Sequence, residues 1–154
     1  MTITSVTPFL WFDTQAEDAA NYYVALFPNS RILNVSRYGE FMPGKAGQVM
    51  VVELELAGQR LIFMNGGSNF TLDEAFSLSV ACETQADIDR MWDALADRPS
   101  ACGWTKDKFG VVWQINYAGL PQIMNGQAKV NKVMEAMMTM VKIDIARLEA
   151  AANS

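Results

Sequence analysis

The sequence contains no histidine, and this absence removes several kinds of site at once. Histidine is the commonest general base near neutral pH, the commonest zinc ligand and a partner in every Ser-His or Cys-His nucleophile pair. Enzyme classes built on those pairs are therefore excluded. Cysteine is also scarce, since Cys82 and Cys102 are the only two and form no C-x-x-C motif. Two thiols are too few for a disulfide scaffold, so we expect a reducing, cytoplasmic environment.

Positive charge is in short supply as well. Twelve Lys and Arg against seventeen Asp and Glu give a net charge of −5, so the chain lacks the positive field that binds nucleic acid. The first twelve residues carry no charged side chain and Pro8 interrupts their apolar run, which argues against a secretory signal. The longest charge-free stretch, residues 110–128, contains Gln, Asn, Gly and Pro, so no membrane span is predicted.

Apolar residues are plentiful enough for one core. They make up 51% of the 154 residues, against 19% for charged residues, and this composition is not that of a disordered chain. At about 150 residues per domain, the length predicts a single domain spanning residues 1–154.

A repeated pattern divides the chain. The string Thr14-Gln15-Ala16-Glu17-Asp18 recurs as Thr84-Gln85-Ala86-Asp87, and an aromatic residue follows each copy at the same offset. Each copy begins with a threonine suited to cap a helix and has an acidic residue three positions later. This capping pattern predicts a helix of about three turns in each copy. An apolar, strand-like run precedes each helix, at residues 8–12 and 76–80.

Strand patterns also follow each predicted helix. Three runs rich in Val, Ile and Leu, separated by turn residues, come after the first helix: residues 31–38, 48–57 and 60–65. Two shorter runs come after the second helix, at residues 102–104 and 111–117, with Lys106-Asp107-Lys108 as a polar turn between them. The sequence therefore predicts an α+β fold of two βαβββ modules that form curved mixed sheets. Module one covers residues 1–67, module two residues 68–120, and a C-terminal helical tail residues 121–154.

The tail carries an apolar stripe at helical spacing: Val130, Val133, Met134, Met137, Met138 and Val141. Asp144 is suited to cap a last short helix, with Ile145 and Leu148 on its apolar side. The stripe either packs into its own domain or forms a subunit interface that uses the adaptable shape of methionine. Both interpretations stay open.

The paired modules resemble the glyoxalase/bleomycin resistance/dioxygenase superfamily, also called the vicinal-oxygen-chelate superfamily. Local strings are similar to its PhnB-like, or demethylubiquinone methyltransferase-like, branch: Pro8-Phe9-Leu10-Trp11-Phe12-Asp13, Leu26-Phe27-Pro28-Asn29-Ser30, Met64-Asn65-Gly66-Gly67 and Lys106-Asp107-Lys108-Phe109-Gly110-Val111. The resemblance covers nearly the whole chain. It implies a sheet-lined pocket and a homodimer whose sheets are completed across subunits.

In metal-using members of this superfamily, His, Gln and Glu side chains in the pocket hold a divalent cation. Here Gln114 stands at the position of the expected glutamate, and Ser77 lies near another ligand position. A neutral amide and hydroxyls leave the charge of a divalent cation largely uncompensated, so we expect no metal and no cofactor. The G-x-G-x-x-G turn typical of a Rossmann-type methyltransferase is missing too, so that activity does not carry over.

Candidate pocket residues are those on strand faces turned away from the predicted helices. They combine apolar walls with a few polar anchors, as small-molecule sites do: Phe9, Trp11, Phe63, Asn65, Ser77, Ser79, Val112 and Gln114. For each aromatic residue, ordinary core packing is the alternative. Glu53 alternates with apolar neighbours and is the candidate general base if its face lines the pocket, whereas a solvated face is the alternative.

Three functions follow as hypotheses. The first is metal-free binding of a small apolar or aromatic molecule by a homodimer. The second is an enzyme of the lyase, isomerase or dioxygenase type, with Glu53 as its acid or base. The third is a structural subunit with a vestigial cavity.

Overall fold

A computed structural model describes all residues from 1 to 154. The chain divides into two compact units, residues 1–72 and residues 73–154. Each unit contains one four-stranded mixed sheet and at least one helix, so the predicted α+β class is confirmed. None of the helices is both long enough and apolar enough to cross a membrane.

The first unit has the βαβββ order that the repeat predicts. Its elements are β1 (Phe9–Phe12), α1 (Ala16–Leu26), β2 (Arg31–Arg37), β3 (Val49–Leu56) and β4 (Gln59–Asn65). The sheet order is β1-β4-β3-β2, in which β1 and β4 are parallel and the other pairs antiparallel.

The second unit repeats this topology and adds three helices. Its elements are β5 (Leu78–Cys82), α2 (Gln85–Leu95), β6 (Arg98–Pro99), β7 (Trp104–Lys106), β8 (Val112–Tyr117), α3 (Leu120–Ile123), α4 (Gln127–Met137) and α5 (Ile145–Ala152). The sheet order is β5-β8-β7-β6, again with one parallel pair, β5 and β8. The two copies of the sequence repeat therefore form sheets of the same connectivity.

One face of the first sheet packs beneath α1. Leu10, Phe63 and Val52 are register neighbours on three strands and are at most 2% exposed. Tyr23 of α1 meets Phe63 edge-on, with the ring centroids 5.9 Å apart. Burying one such side chain stabilises the fold by roughly 1.5–3 kcal/mol, so this row fixes the helix to the sheet.

The two repeated helices begin differently. Thr84 caps α2 as predicted, because its Oγ1 accepts a hydrogen bond from the Asp87 N–H at 3.2 Å. The matching prediction for Thr14 was wrong. Asn65, at the end of β4, binds the first free N–H group of α1 instead, with 2.8 Å between its Oδ1 and the nitrogen of Ala16.

The first strand of the second unit begins two residues later than the apolar run suggests. Phe76 lies outside β5 and is 48% exposed. Asp73 forms a turn just before it, since its Oδ1 accepts from the Ala75 N–H at 2.9 Å. The parallel ladder with β8 starts only at Leu78, which pairs with Trp113.

The structure also shifts the predicted strand 102–104 to Trp104–Lys106 and ends α4 at Met137, before the end of the predicted helical stripe. Cys102 has a φ of 61° and Gly103 a φ of 80°, so these residues form a turn and β7 begins after them. Their N–H groups donate to the carbonyl oxygens of Met140 and Val141, at 2.9 and 2.8 Å. Val141 therefore lies outside α4, although it belongs to the helical stripe.

The tail stripe is divided between core and surface. Val133 and Met137 are buried within the second unit. Met134, Met138 and Val141 are exposed, at 37%, 70% and 53%. The methionines of α4 thus serve the core on one side and leave an apolar strip on the other.

The last helix is tied to the start of α2. Asp144 caps α5 as predicted, because its Oδ1 accepts from the Arg147 N–H at 3.1 Å. Gln85 donates from Nε2 to the carbonyl oxygen of Ile143 and accepts at Oε1 from the Ile145 N–H, at 3.0 and 2.9 Å. One amide side chain therefore satisfies backbone groups on both sides of the cap.

The turn between β7 and β8 is built around a buried carboxylate. Asp107 is 2% exposed, and its Oδ1 accepts from the N–H groups of Phe109 and Val111, at 2.8 and 3.0 Å. Its Oδ2 accepts from Nε1 of Trp113 at 2.8 Å. The polar turn is confirmed, but its aspartate belongs to the interior.

Asp107→Asn is expected to lower the free energy of unfolding by about 2–3 kcal/mol, because the new amide would point a donor at the donor of Trp113. In a Trp113→Phe background that conflict is gone, and the loss should shrink by about 1 kcal/mol. Urea unfolding of the four proteins measures this coupling. Equal losses in both backgrounds would contradict it.

The hairpin between β3 and β4 offers a stabilising substitution. Ala57 and Gly58 have φ values of 46° and 87°, the conformation in which Asn-Gly is the favoured pair. Ala57→Asn is expected to raise the free energy of unfolding by about 0.5–1 kcal/mol, because alanine is strained there. A shift of the urea midpoint upward for this variant, and downward for the β-branched control Ala57→Val, is the expected pattern.

Candidate functional site

The face of the first sheet opposite α1, here called the outer face of the first unit, carries aromatic and acidic side chains. Two rows of register neighbours cross it: Phe9, Ile62 and Glu53 in one row, and Trp11, Met64 and Val51 in the next. Register neighbours project from the same side of a sheet. Phe9 is 54% exposed and Trp11 is half-buried, so both predicted aromatic residues face away from the helix.

The Trp11 ring rests on backbone that has no side chain. A Cβ on Gly66 would lie 2.2 Å from Cζ2 of Trp11, so only glycine allows the ring to lie there. The indole Nε1 donates to the carbonyl oxygen of Gly67 at 2.8 Å. Phe70 meets the ring edge-on, with centroids 5.1 Å apart and an interplanar angle of 81°. Three contacts therefore fix the orientation of Trp11.

Glu53 lies on the same outer face, one row from Trp11. Its Oε1 is 3.9 Å from Nη2 of Arg60, and both side chains are partly exposed. A second ion pair lies beside it, in which Nε of Arg31 is 3.8 Å from Oε1 of Glu55. Exposed pairs of this kind contribute about 0–1 kcal/mol, so the carboxylate is only weakly held in place.

Two predicted pocket residues lie on the opposite face, so their predicted orientation was wrong. Phe63 is fully buried against Tyr23, and the Asn65 side chain binds the start of α1. The reason is that residues 61–64 of β4 are all apolar and show no alternation in the sequence. The pairing with β1 determines which residues of β4 face outward, and these are Ile62 and Met64.

The outer face of the second unit, opposite α2, carries four polar side chains that bond to one another. Gln114 donates from Nε2 to Oγ of Ser77 at 2.9 Å, and Asn116 donates from Nδ2 to Oγ of Ser79 at 3.4 Å. Val112 precedes Gln114 in the same alternation. Asn116 was missed by the sequence reasoning, although its position two residues after Gln114 places it on the same face. We call Ser77, Ser79, Gln114 and Asn116 the amide-hydroxyl ladder.

The donors present do not fit a divalent cation. Ser77 and Gln114, the two residues that the superfamily resemblance relates to ligand positions, hydrogen-bond to each other and are neutral. No group of three or more His, Cys, Asp and Glu side chains is arranged to hold a metal ion. Protein sites for hard divalent cations use carboxylates to compensate the charge of the ion, and all four side chains of the ladder are neutral.

A cavity of about 370 Å³ lies elsewhere in the first unit, where β1 and β4 end and α1 begins. Its lining combines apolar surface with polar and charged side chains, which include Asp13, Glu17, Asp18, Tyr38, Lys45 and Asn65. Asn65 is the only predicted pocket residue among them. The acidic residues have a structural reason to be there, because carboxylates in a first turn interact favourably with the helix dipole. The cavity therefore differs from the apolar pocket that the sequence predicts.

Both cysteines are free thiols. Cys82 is buried, and burial together with the negative charge of Asp87 raises the pKa of its thiol to about 11. The thiolate is the reactive form of cysteine, so Cys82 is inert near neutral pH.

Comparison with known proteins identifies the family. The model of the family described as 3-demethylubiquinone-9 3-methyltransferase matches residues 4–116. A PhnB protein of Bacillus cereus, provisionally assigned to the same activity, is 37% identical, with a TM-score of 0.66 over 75% of this chain and all of that chain. A Pseudomonas aeruginosa protein is 20% identical, with a TM-score of 0.58 over 75% of this chain and 98% of that one. No curated protein matches.

Two βαβββ modules whose sheets share one strand order form the duplicated α+β fold class that the sequence predicts. Within that class, the chain belongs to the 3-demethylubiquinone-9 3-methyltransferase family, the PhnB-like branch. The resemblance inferred from its local strings is therefore confirmed.

Gly66→Ala is expected to displace the Trp11 ring from its position against Gly66 and to break the hydrogen bond from Nε1 to the Gly67 carbonyl oxygen. Hydrogen exchange at the Trp11 indole N–H, measured by NMR, should then be faster, and the free energy of unfolding should fall by about 1–3 kcal/mol. Gly44→Ala is the matched control, because nothing lies within 4 Å of a Cβ there. Unchanged exchange in the Gly66 variant would show that the ring does not depend on this contact.

Proposed function

We propose that this protein binds a small, largely apolar or aromatic molecule without a metal ion, and that Trp11 on the outer face of the first unit is its main contact. The fixed orientation of the Trp11 ring carries this proposal. A ring that is already held by Gly66, Gly67 and Phe70 loses little freedom when a ligand packs on it.

The atoms of Trp11 that have no hydrogen-bond partner limit the class of ligand that the side chain can bind. Its only hydrogen-bond donor, Nε1, is bonded to the Gly67 carbonyl oxygen, so a ligand would meet only the apolar part of the ring. Phe9, also on this face, extends the apolar area. Aromatic rings prefer offset or edge-on partners at centroid distances of about 4.5–7 Å, which suits a planar, unsaturated ligand.

The neutral amide-hydroxyl ladder supports the metal-free part of the proposal. Its members are uncharged and hydrogen-bond to one another, so none of them needs a cation as a partner. Amides and hydroxyls also orient uncharged ligand groups by donating or accepting single hydrogen bonds.

Methyl transfer, the activity in the family's name, is not part of the proposal. A Rossmann-type cofactor site places glycines between a strand and a helix N-terminus. The glycine pair of this chain follows β4, but no helix follows it, and the Trp11 ring covers Gly66.

The proposed working state is a homodimer. The exposed strip formed by Met134, Met138 and Val141 supports it, because methionine adapts its shape to a partner surface. Dimerisation is also what the superfamily resemblance implies.

Catalysis with Glu53 as acid or base is the second candidate. The observation that favours it is the register, which puts Glu53 on the same outer face as Trp11, one row and two strands away. If it is correct, Glu53→Gln removes turnover and leaves ligand binding intact.

The binding proposal can be tested with the neutral fluorophore N-phenylnaphthylamine. We expect saturable binding to the wild type, and Trp11→Ala should weaken it about tenfold, which corresponds to about 1.4 kcal/mol. Trp92→Ala, on the half-exposed side of α2, is the matched control and should bind like the wild type. Titrations with and without EDTA should superimpose.

Two results would contradict the proposal. Equal affinity of the two tryptophan variants would exclude Trp11 as the contact. Loss of binding in EDTA, with recovery on addition of Zn²⁺, Mn²⁺ or Ni²⁺, would exclude the metal-free mode.

A further inference from the structure

The chain contains two Asn-Gly pairs, Asn65-Gly66 and Asn125-Gly126. In such a pair, the backbone nitrogen of the glycine can reach the side-chain carbonyl carbon of the asparagine, because glycine allows conformations that other residues avoid. The local sequences are chemically equivalent. Any difference in reactivity between the pairs must therefore come from the fold.

The fold restrains the first pair at every reacting group. Asn65 accepts at Oδ1 from the Ala16 N–H at 2.8 Å and donates from Nδ2 to the Val49 carbonyl oxygen at 3.2 Å. The attacking group is held as well, since the Gly66 N–H donates to the carbonyl oxygen of Phe12 at 2.9 Å. Attack within this pair would require these bonds to open.

The second pair is unrestrained. Asn125 is exposed and lies in the connection between α3 and α4. Neither its side chain nor the Gly126 N–H makes a hydrogen bond within the chain. Gly126 has a φ of 96°, in the region open to glycine, so the backbone here already has the freedom that the reaction uses.

We propose that Asn125 is a site of spontaneous deamidation in the folded protein and that Asn65 is protected. The Gly126 nitrogen attacks Cγ of Asn125 and forms a new C–N bond, and the bond from Cγ to Nδ2 breaks. The Gly126 N–H proton leaves with that nitrogen as ammonia, which gives a cyclic imide. Water then opens the ring at either carbonyl, so the products are aspartate and isoaspartate. No oxidation or reduction takes place.

The change would introduce charge at the one long helix that lacks a cap. A side-chain oxygen binds a first-turn N–H of α1, α2 and α5, whereas α4 has no such bond and no acid in its first turn. A carboxylate at position 125 precedes this N-terminus, where the helix dipole favours negative charge. The modification therefore alters the electrostatics of the helix that carries Met134.

Peptide mapping by mass spectrometry tests the proposal. The full-length protein is incubated at mildly alkaline pH in native buffer, and samples are taken over time. We expect a gain of one mass unit at Asn125, split between aspartate and isoaspartate, at a rate about tenfold or more above that at Asn65, where reaction needs local opening. Asn125→Gln should remove this signal, because the longer side chain would have to close a six-membered ring, which forms much more slowly.

A parallel incubation in urea separates the fold from the local sequence. Unfolding should raise the rate at Asn65 to that at Asn125. Equal rates in native buffer would overturn the proposal, and so would an Asn65 that stays unreactive in urea, because its protection would then not come from the fold.

Discussion

The parallel pairing of β1 with β4 determines which side chains lie on each face of the first sheet. It pairs Leu10 with Phe63 under α1 and Trp11 with Met64 on the outer face. A slip of β1 by one residue against β4 would turn Trp11 beneath the helix and Leu10 to the outer face. The fully buried row of Leu10, Phe63 and Val52 makes such a slip costly. The position of the proposed binding residue is thus a consequence of core packing.

The two units share a topology but carry different side chains on their outer faces. Both sheets keep an apolar face for their helix, but the outer face is aromatic and acidic in the first unit and consists of amides and hydroxyls in the second. Neither outer face offers the imidazole and carboxylate set of a divalent metal site. The two units therefore share a topology and differ in the chemistry of the side chains on their outer faces.

Local patterns in the sequence predicted much of this architecture. The repeat beginning at Thr14 and Thr84 located both helices, and turn residues such as Ala57-Gly58 located the hairpins. Side-chain faces were predicted correctly where polar and apolar residues alternate, as they do from Ser77 to Val80. In β4 the apolar run erases that signal, so Phe63 and Asn65 were assigned to the wrong face.

The remaining features depend on contacts between residues that are distant in the chain or on burial that no local pattern reveals. Asn65 replaces Thr14 at the start of α1 although 49 positions separate Asn65 from Ala16. Asp107 lies between two lysines, a pattern typical of solvent-exposed turns, yet it accepts three hydrogen bonds in the interior. The seat of Trp11 on Gly66 belongs to the same group, because only the β1-β4 ladder brings the two together.

The most direct test of the account is a crystal structure of the protein purified from its own cells without chelator. We expect electron density for an organic molecule in contact with the Trp11 ring, and no ion coordinated by Gln114 or Ser77. A cation bound by those side chains, or a Trp11 ring displaced from Gly66 with no ligand against it, would contradict it.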